Sequence, residues 1–398
     1  MKFKRLLIPS LLSLCLFSLT SCDIEGFIKD NTTLGDIDPN DIIDNIINGD
    51  PEYVPVDIDE SNEDYGYLDL QKNETKKNQL VGLYTEIDTL LADFMTNGQT
   101  IQPITREVGG ETSTYYIIKD RLSYSYYGLS YSEAASVYKC VLLDHPEYYF
   151  VSNTLVNGNI GSVYFLTLLC DPDYADGSAR TTYNNLITAY DAAVKQELEG
   201  QTNPLQKVKK IHDYITTHAE YAFKKIDGNY VKYNEVTHSY VPVINKTDAD
   251  PDDSTFAHNL LGIVKNHEGV CESYAELFQY LLKNNGIESI MVTGDAWTSY
   301  PRIGDGESHA WNYVKFNYEV GGEIISKWYG FDVTWDDPVP DTPGLKDDYF
   351  GYYNYPKRSS SPTYTFYDTH QPDTNGDMSC GINYLYSLPT LTTEDLLA

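Results

Sequence analysis

Apolar residues recur at helical spacing over Lys77 to Met95, Ser132 to Asp144 and Thr181 to Leu198, and these stretches predict three helices. After Gly269 the positions Tyr274, Ala275, Phe278, Leu281 and Leu282 keep the same period. Gly286, following Asn284-Asn285, supplies a left-handed stop, so a further helix begins at about Cys271. Tyr115 to Ile118 and Val163 to Leu166 read as short strands. His309 to Phe316 and Ile325 to Trp335, rich in aromatic and β-branched residues, read as longer ones, and Gly321-Gly322 between them is a hairpin signal. Mixed helices and short strands, followed by an antiparallel hairpin beside the Cys271 helix, are read as an α+β fold with an antiparallel sheet packed on a helix, preceded by a mixed helical and short-strand region.

This pattern places a thiol, an imidazole and a carboxylate in suggestive positions. Cys271 falls in the first turn of its helix, where unpaired amides and the macrodipole favour a thiolate. If the hairpin folds between Val320 and Gly321, His309 lies opposite Asp332. If Gly321-Gly322 are the two turn residues, the pair is diagonal. Either register keeps His309 and Asp332 on one face, and a helix packed on that face would bring Cys271 to them. His309 would then take the thiol proton while Asp332 orients the ring.

The blocks Leu261-Gly262-Ile263-Val264, Gly269-Val270-Cys271, Gly286-Ile287-Glu288-Ser289, Val292-Thr293-Gly294, His309-Ala310-Trp311-Asn312 and Asp332-Val333-Thr334-Trp335-Asp336-Asp337-Pro338 resemble a bacterial transglutaminase-like domain. The segment Val208 to Ile215 resembles the helix that precedes the nucleophile in such domains. The resemblance implies a papain-like fold with Cys271 as nucleophile, His309 as base and Asp332 as orienting acid. No tryptophan precedes Cys271, so the indole of the eukaryotic oxyanion hole has no counterpart. The Cys271 amide and either His258 or Asn259 are the oxyanion candidates. Asp144-His145-Pro146-Glu147-Tyr148-Tyr149-Phe150 resembles a segment found upstream of such domains, without an assigned role.

Lys2, Lys4 and Arg5 precede an apolar run from Leu6 to Leu19, too short to span a membrane, and Leu19-Thr20-Ser21-Cys22 resembles a bacterial lipobox. That implies lipidation at Cys22 and an extracytoplasmic protein anchored in the cell envelope. From Asp23 to Asp64 the chain carries fourteen acidic residues and one lysine, the composition of an extended tether. A formal charge of −31 argues against nucleic acid as partner. The organisation expected is a signal peptide at 1–21, an acidic tether at 22–64, an α/β region at 65–198, the catalytic domain at 199–340 and a loop-rich extension at 341–398.

Four tryptophans cluster near the histidine and aspartate. Trp311, Trp328 and Trp335 read as core, and Trp297, in the loop Asp295 to Tyr300, as a wall of the substrate cleft. Cys140, Cys170 and Cys380 read as buried free thiols, with a disulfide between one pair, Cys140 and Cys170 being nearest in sequence, as the alternative. Asp373 to Asp377 begins like a calcium loop but lacks its glycine and glutamate, Asp248, Asp250, Asp252 and Asp253 read as a solvated loop, and the histidines show no zinc spacing. Neither metal nor cofactor is expected. The function expected is thiol hydrolysis of a protein or peptide, cell-wall peptide included, through an acyl-enzyme. Acyl transfer to an amine and an inactive binding module are the alternatives.

Overall fold

The computed structural model describes residues 55–56, 64–108, 111–226, 229–234, 239–242, 255–297, 302–304, 306–337, 347–352, 365–373 and 387–396. The signal segment, Cys22, most of the tether, Cys380 and Asp248 to Asp253 lie outside them.

The helix α1 (Tyr65–Gln71) is followed by α2 (Lys77–Thr96), whose buried Leu80, Leu83, Ile87 and Leu91 form one stripe. A hairpin of β1 (Ile104–Val108) and β2 (Glu111–Tyr115) leads to β3 (Ile117–Leu122), so the single strand predicted at Tyr115 to Ile118 is broken at Tyr116. α3 (Tyr131–Asp144) starts in a capping box between Ser130 and Glu133. β4 (Val156–Ile160) and β5 (Val163–Leu169) complete a three-stranded sheet in the order β3-β5-β4. α4 (Gly177–Glu197) begins before the predicted Thr181, because Asp176 accepts from Ser178 N and Ala179 N. α5 (Pro204–His218) has Asn203 as its cap and proline in its first turn.

Beyond β6 (Glu220–Tyr221), the strands β7 (Lys224–Ile226), β8 (Asn229–Asn234) and β9 (Ser239–Pro242) form a small antiparallel sheet. The chain returns at β10 (Glu268–Gly269), which pairs parallel with β6 and delivers it into α6 (Cys271–Lys283). The principal sheet then forms from β11 (Ser289–Ala296), β12 (Glu307–Val320) and β13 (Glu323–Phe331). A short helix α7 (Phe366–Thr369) runs into β14 (His370–Pro372), which closes the order β13-β12-β11-β14. Val320 pairs with Glu323 and Asn312 with Phe331, so Gly321 and Gly322 are the turn residues, at φ 61° and 85°. Positive φ at both positions is what a tight two-residue hairpin requires, and glycine adopts it without strain.

One apolar cluster runs from Leu70 through Ile187 and Val314 to Leu396. The three segments expected after residue 64 therefore share a core. The C-terminal extension is part of it: β14 adds an edge strand, and Thr392 N donates to Trp328 O. The expected tether also ends against the body, with Val56 N on Asn317 O at 2.8 Å and Asp64 paired with Lys283 and His145.

Candidate functional site

Cys271 is the first residue of α6, and its N-cap, Val270, offers no capping side chain. The residue is 1% exposed and packs with Ala275 of its own helix and Ala310 of β12. Its Sγ donates to Glu272 Oε2 at 3.1 Å. On the far side of Glu272, His258 Nδ1 lies 3.7 Å from Oε1. Burial pushes the Glu272 carboxyl up, but His258 and the thiol outweigh it and hold it below its ordinary pKa. Sequence reasoning missed Glu272, since a glutamate in a first helical turn is the commonplace response to the helix dipole.

Asp332 does not lie in the strand, as predicted, but one residue past the end of β13, in the turn that follows it. Its Oδ1 accepts from Trp335 N at 3.1 Å and its Oδ2 from His309 Nε2 at 2.7 Å. The diagonal geometry of the Gly321-Gly322 turn accounts for this contact. Both residues are buried, and Trp335 stacks on the His309 ring with centroids 5.1 Å apart. The Trp311 ring also stacks against the His309 ring, with centroids 6.1 Å apart. Two of the tryptophans read as core thus wall off the imidazole–carboxylate bond from water, which strengthens it.

The helix packs on β12 at residues that follow His309. Asn312 Nδ2 donates to Ala275 O at 3.0 Å and Ala310 touches Cys271, so the even-numbered side chains meet α6. The thiol, at the tip of the helix, meets the strand at Ala310, the residue next to His309.

The Asp332 carboxylate also meets a residue the sequence did not flag. His370, the first residue of β14, places Nε2 3.0 Å from the same Asp332 Oδ2. β14 reaches this position because Gly294 lets it approach β11: a Cβ there would sit 2.1 Å from Gln371 O. Arg302 fastens the same segment, bonding Tyr367 O, Asp368 O and Gln371 Oε1 at 2.6, 2.8 and 2.5 Å. A three-residue strand has no readable periodicity, and nothing near His370 in sequence points to Asp332. The other aspartates of the same turn tie down two helices: Asp336 Oδ2 lies 3.1 Å from His212 Nε2 of α5, and Tyr274 of α6 donates to Asp337.

The remaining candidates are placed as follows. The Asn259 amide is committed to Tyr174 Oη, Thr255 O and Leu261 N, which makes it a turn anchor with no donor left for an oxyanion. His258 faces Glu272. Trp297 is buried, with Arg302 over its ring at 4.1 Å and Nε1 on Gly304 O, so it packs the β11–β12 connection instead of forming an open wall. Asp295 and Ala296 belong to β11, and 298–300 lie outside the described residues. Cys140 and Cys170 are buried free thiols, both raised by burial.

Among the described residues, two groups hold three potential metal ligands within 4.8 Å of one another: His309, Asp332 and His370, and His212, Asp213 and Asp347. In the first the ring nitrogens already bond to the carboxylate. In the second Lys209 supplies the cation, paired with Asp213 and 3.2 Å from Asp347.

Residues 192–333 match the model of the transglutaminase-like superfamily. The chain carries a transglutaminase-like domain. This domain contains Cys271, His309 and Asp332, whereas His370 lies beyond its matched end. Two solved structures are similar: a TGase, at 16% identity over 48% of this chain and 45% of that one, TM-score 0.25, and a candidate cysteine protease from Cytophaga hutchinsonii, at 17% identity over 48% and 64%, TM-score 0.23. In both cases the similarity covers less than two thirds of the other chain. No curated protein matches the sequence.

Proposed function

We propose that the transglutaminase-like domain is a thiol hydrolase, a peptidase or amidase working through Cys271, His309 and Asp332. The observation that carries this reading is a cysteine at the tip of a helix, packed on the strand next to a histidine whose Nε2 is 2.7 Å from a buried aspartate. With Nε2 on Asp332, proton exchange falls to Nδ1. His309 takes the proton from Cys271, and the thiolate attacks the substrate carbonyl carbon, forming a C–S bond. The imidazolium returns the proton to the leaving nitrogen as the C–N bond breaks. Water then attacks the thioester, losing a proton to His309. The C–S bond breaks, and the free acid leaves. Lipidation at Cys22 holds the enzyme outside the cytoplasm, and its acidic surface favours basic or neutral peptide substrates over nucleic acid.

The test is the pH dependence of iodoacetamide labelling at Cys271 in the full-length protein, read by peptide mass spectrometry, beside His309→Ala and Asp332→Asn. Labelling that persists well below the free-thiol pKa of about 8.5, and falls at least about tenfold in both variants at pH 6.5, is expected. An ordinary thiol profile indifferent to both substitutions would favour a binding module. Under excess amine, release of free acid rather than amide adduct is the expected product.

A further inference from the structure

We propose that His370 is a positioning residue of this site, which limits the negative charge that Asp332 presents to His309. The proposal rests on the Cys-His-Asp reading above. Asp332 Oδ2 receives two ring nitrogens, His309 Nε2 at 2.7 Å and His370 Nε2 at 3.0 Å, while Oδ1 receives Trp335 N. A carboxylate accepts and does not donate, so each ring must carry its proton on Nε2. The rings cannot take turns. His370 is wholly buried, stacked on Phe366 at 4.2 Å and 13°, tilted against Trp335 at 4.7 Å, and joined through Nδ1 to Thr369 Oγ1 at 2.9 Å.

Burial holds His370 below its ordinary pKa, despite Asp332 beside it, so it acts as a neutral donor. A neutral N–H on the shared oxygen disperses the carboxylate charge without adding a proton that could be passed on. Asp332 stays ionised, the two histidines outweighing its burial. Yet it stabilises the His309 imidazolium less than it would with His309 alone, which keeps the base closer to neutrality, where a general base is most effective. Among the described residues, the titratable groups around this cluster are these. Cys271 approaches from α6, Tyr349 lies 5.6 Å from the His370 ring, and Asp336 and Asp337 of the same turn are held by His212 and Tyr274.

Ring-labelled histidine NMR on the full-length protein tests this, with His370→Phe to keep the stacking and remove the donor, and His370→Gln to offer an amide N–H in its place. His370→Phe is expected to raise the His309 pKa by about one unit, a tenfold change in its proton affinity, and His370→Gln to restore most of it. The wild-type spectrum should show His370 neutral and protonated at Nε2 at pH 7, a result that needs no variant to fold. A charged His370, the other tautomer, or a His309 titration unmoved by the Phe variant would overturn the proposal. These readouts do not use the thiol. If iodoacetamide labelling ignores His309 while its titration still responds to His370, the hydrolase reading fails and the role of His370 stands.

Discussion

Glu272 sits where it works against its neighbour. A carboxylate 3.1 Å from Sγ accepts the thiol proton as a hydrogen bond but repels the thiolate, opposing the helix N-terminus that favours it. His258, on the other oxygen, offsets part of that charge. Glu272→Gln is therefore expected to speed iodoacetamide labelling of Cys271 about tenfold at pH 6.5, the effect of one pKa unit. A slower or unchanged rate would mean that Glu272 assists the thiol instead. At this scale the sequence was informative about position: Cys271 opens a helix and His309 bonds Asp332 across a hairpin turn, both readable from a helix start and a hairpin signal. Glu272 and His370 were not, since the first resembles any first-turn acid and the second arrives on a strand of three residues. Asn259 misled for the opposite reason, because a polar side chain near a nucleophile looks available until its own turn is seen to use all of it.

Elements with long period or strong caps were legible. The helices α2 and α3 and the β12–β13 hairpin lie where the pattern put them, because each buries a stripe or closes on a turn that only glycine makes easily. The face of β12 that meets α6 was not legible, since both faces are buried around His309 and the alternation of polar and apolar residues is lost there. The edge strand β14 depends on tertiary fit alone, through Gly294 and Arg302. Gly294→Ala would place a methyl 2.1 Å from Gln371 O, a backbone atom that cannot yield locally. The strand should detach: hydrogen exchange in peptides spanning residues 365–373 is expected to accelerate, with a stability loss of about 1–3 kcal/mol. Arg302→Ala should reproduce the faster exchange in milder form. Unchanged protection in Gly294→Ala would show that β14 is held from elsewhere.

Across the molecule, the segment from Asp144 to Phe150 acquires a role in joining the amino-terminal helices to α6. Asp144 accepts from Gly66 N, Tyr67 N and Tyr84 Oη, and Lys283 at the end of α6 donates to Asp144 O. His145 lies 3.2, 3.4 and 3.0 Å from Asp64, Asp88 and Glu147. Burial opposes its charge, but Asp64 and Glu147 outweigh it and raise His145 to about 10. Its contribution is fully present below the unfolded pKa near 6.5 and is lost as pH rises toward 10. Burial lifts Asp144 to about 7 and Glu276 and Asp336 to about 8, and these act in the same sense: each keeps its proton in the folded state where the unfolded chain has released it. Asp64, Asp213 and Asp332, held low by histidine and lysine partners that outweigh burial, contribute above about pH 4 and lose that contribution below it. Thermal stability should therefore be greatest at about pH 4 to 5, where the unfolded carboxyls begin to release their protons, and decline from there to about pH 9, rather than plateau through neutrality. His145→Gln should lower stability by about 2 kcal/mol at pH 5.5 and by less at pH 9, flattening the decline when calorimetric melting is followed across this range. A wild-type melting temperature that rises from pH 5.5 to 9 would mean that the raised carboxyls and His145 do not govern the stability of this fold.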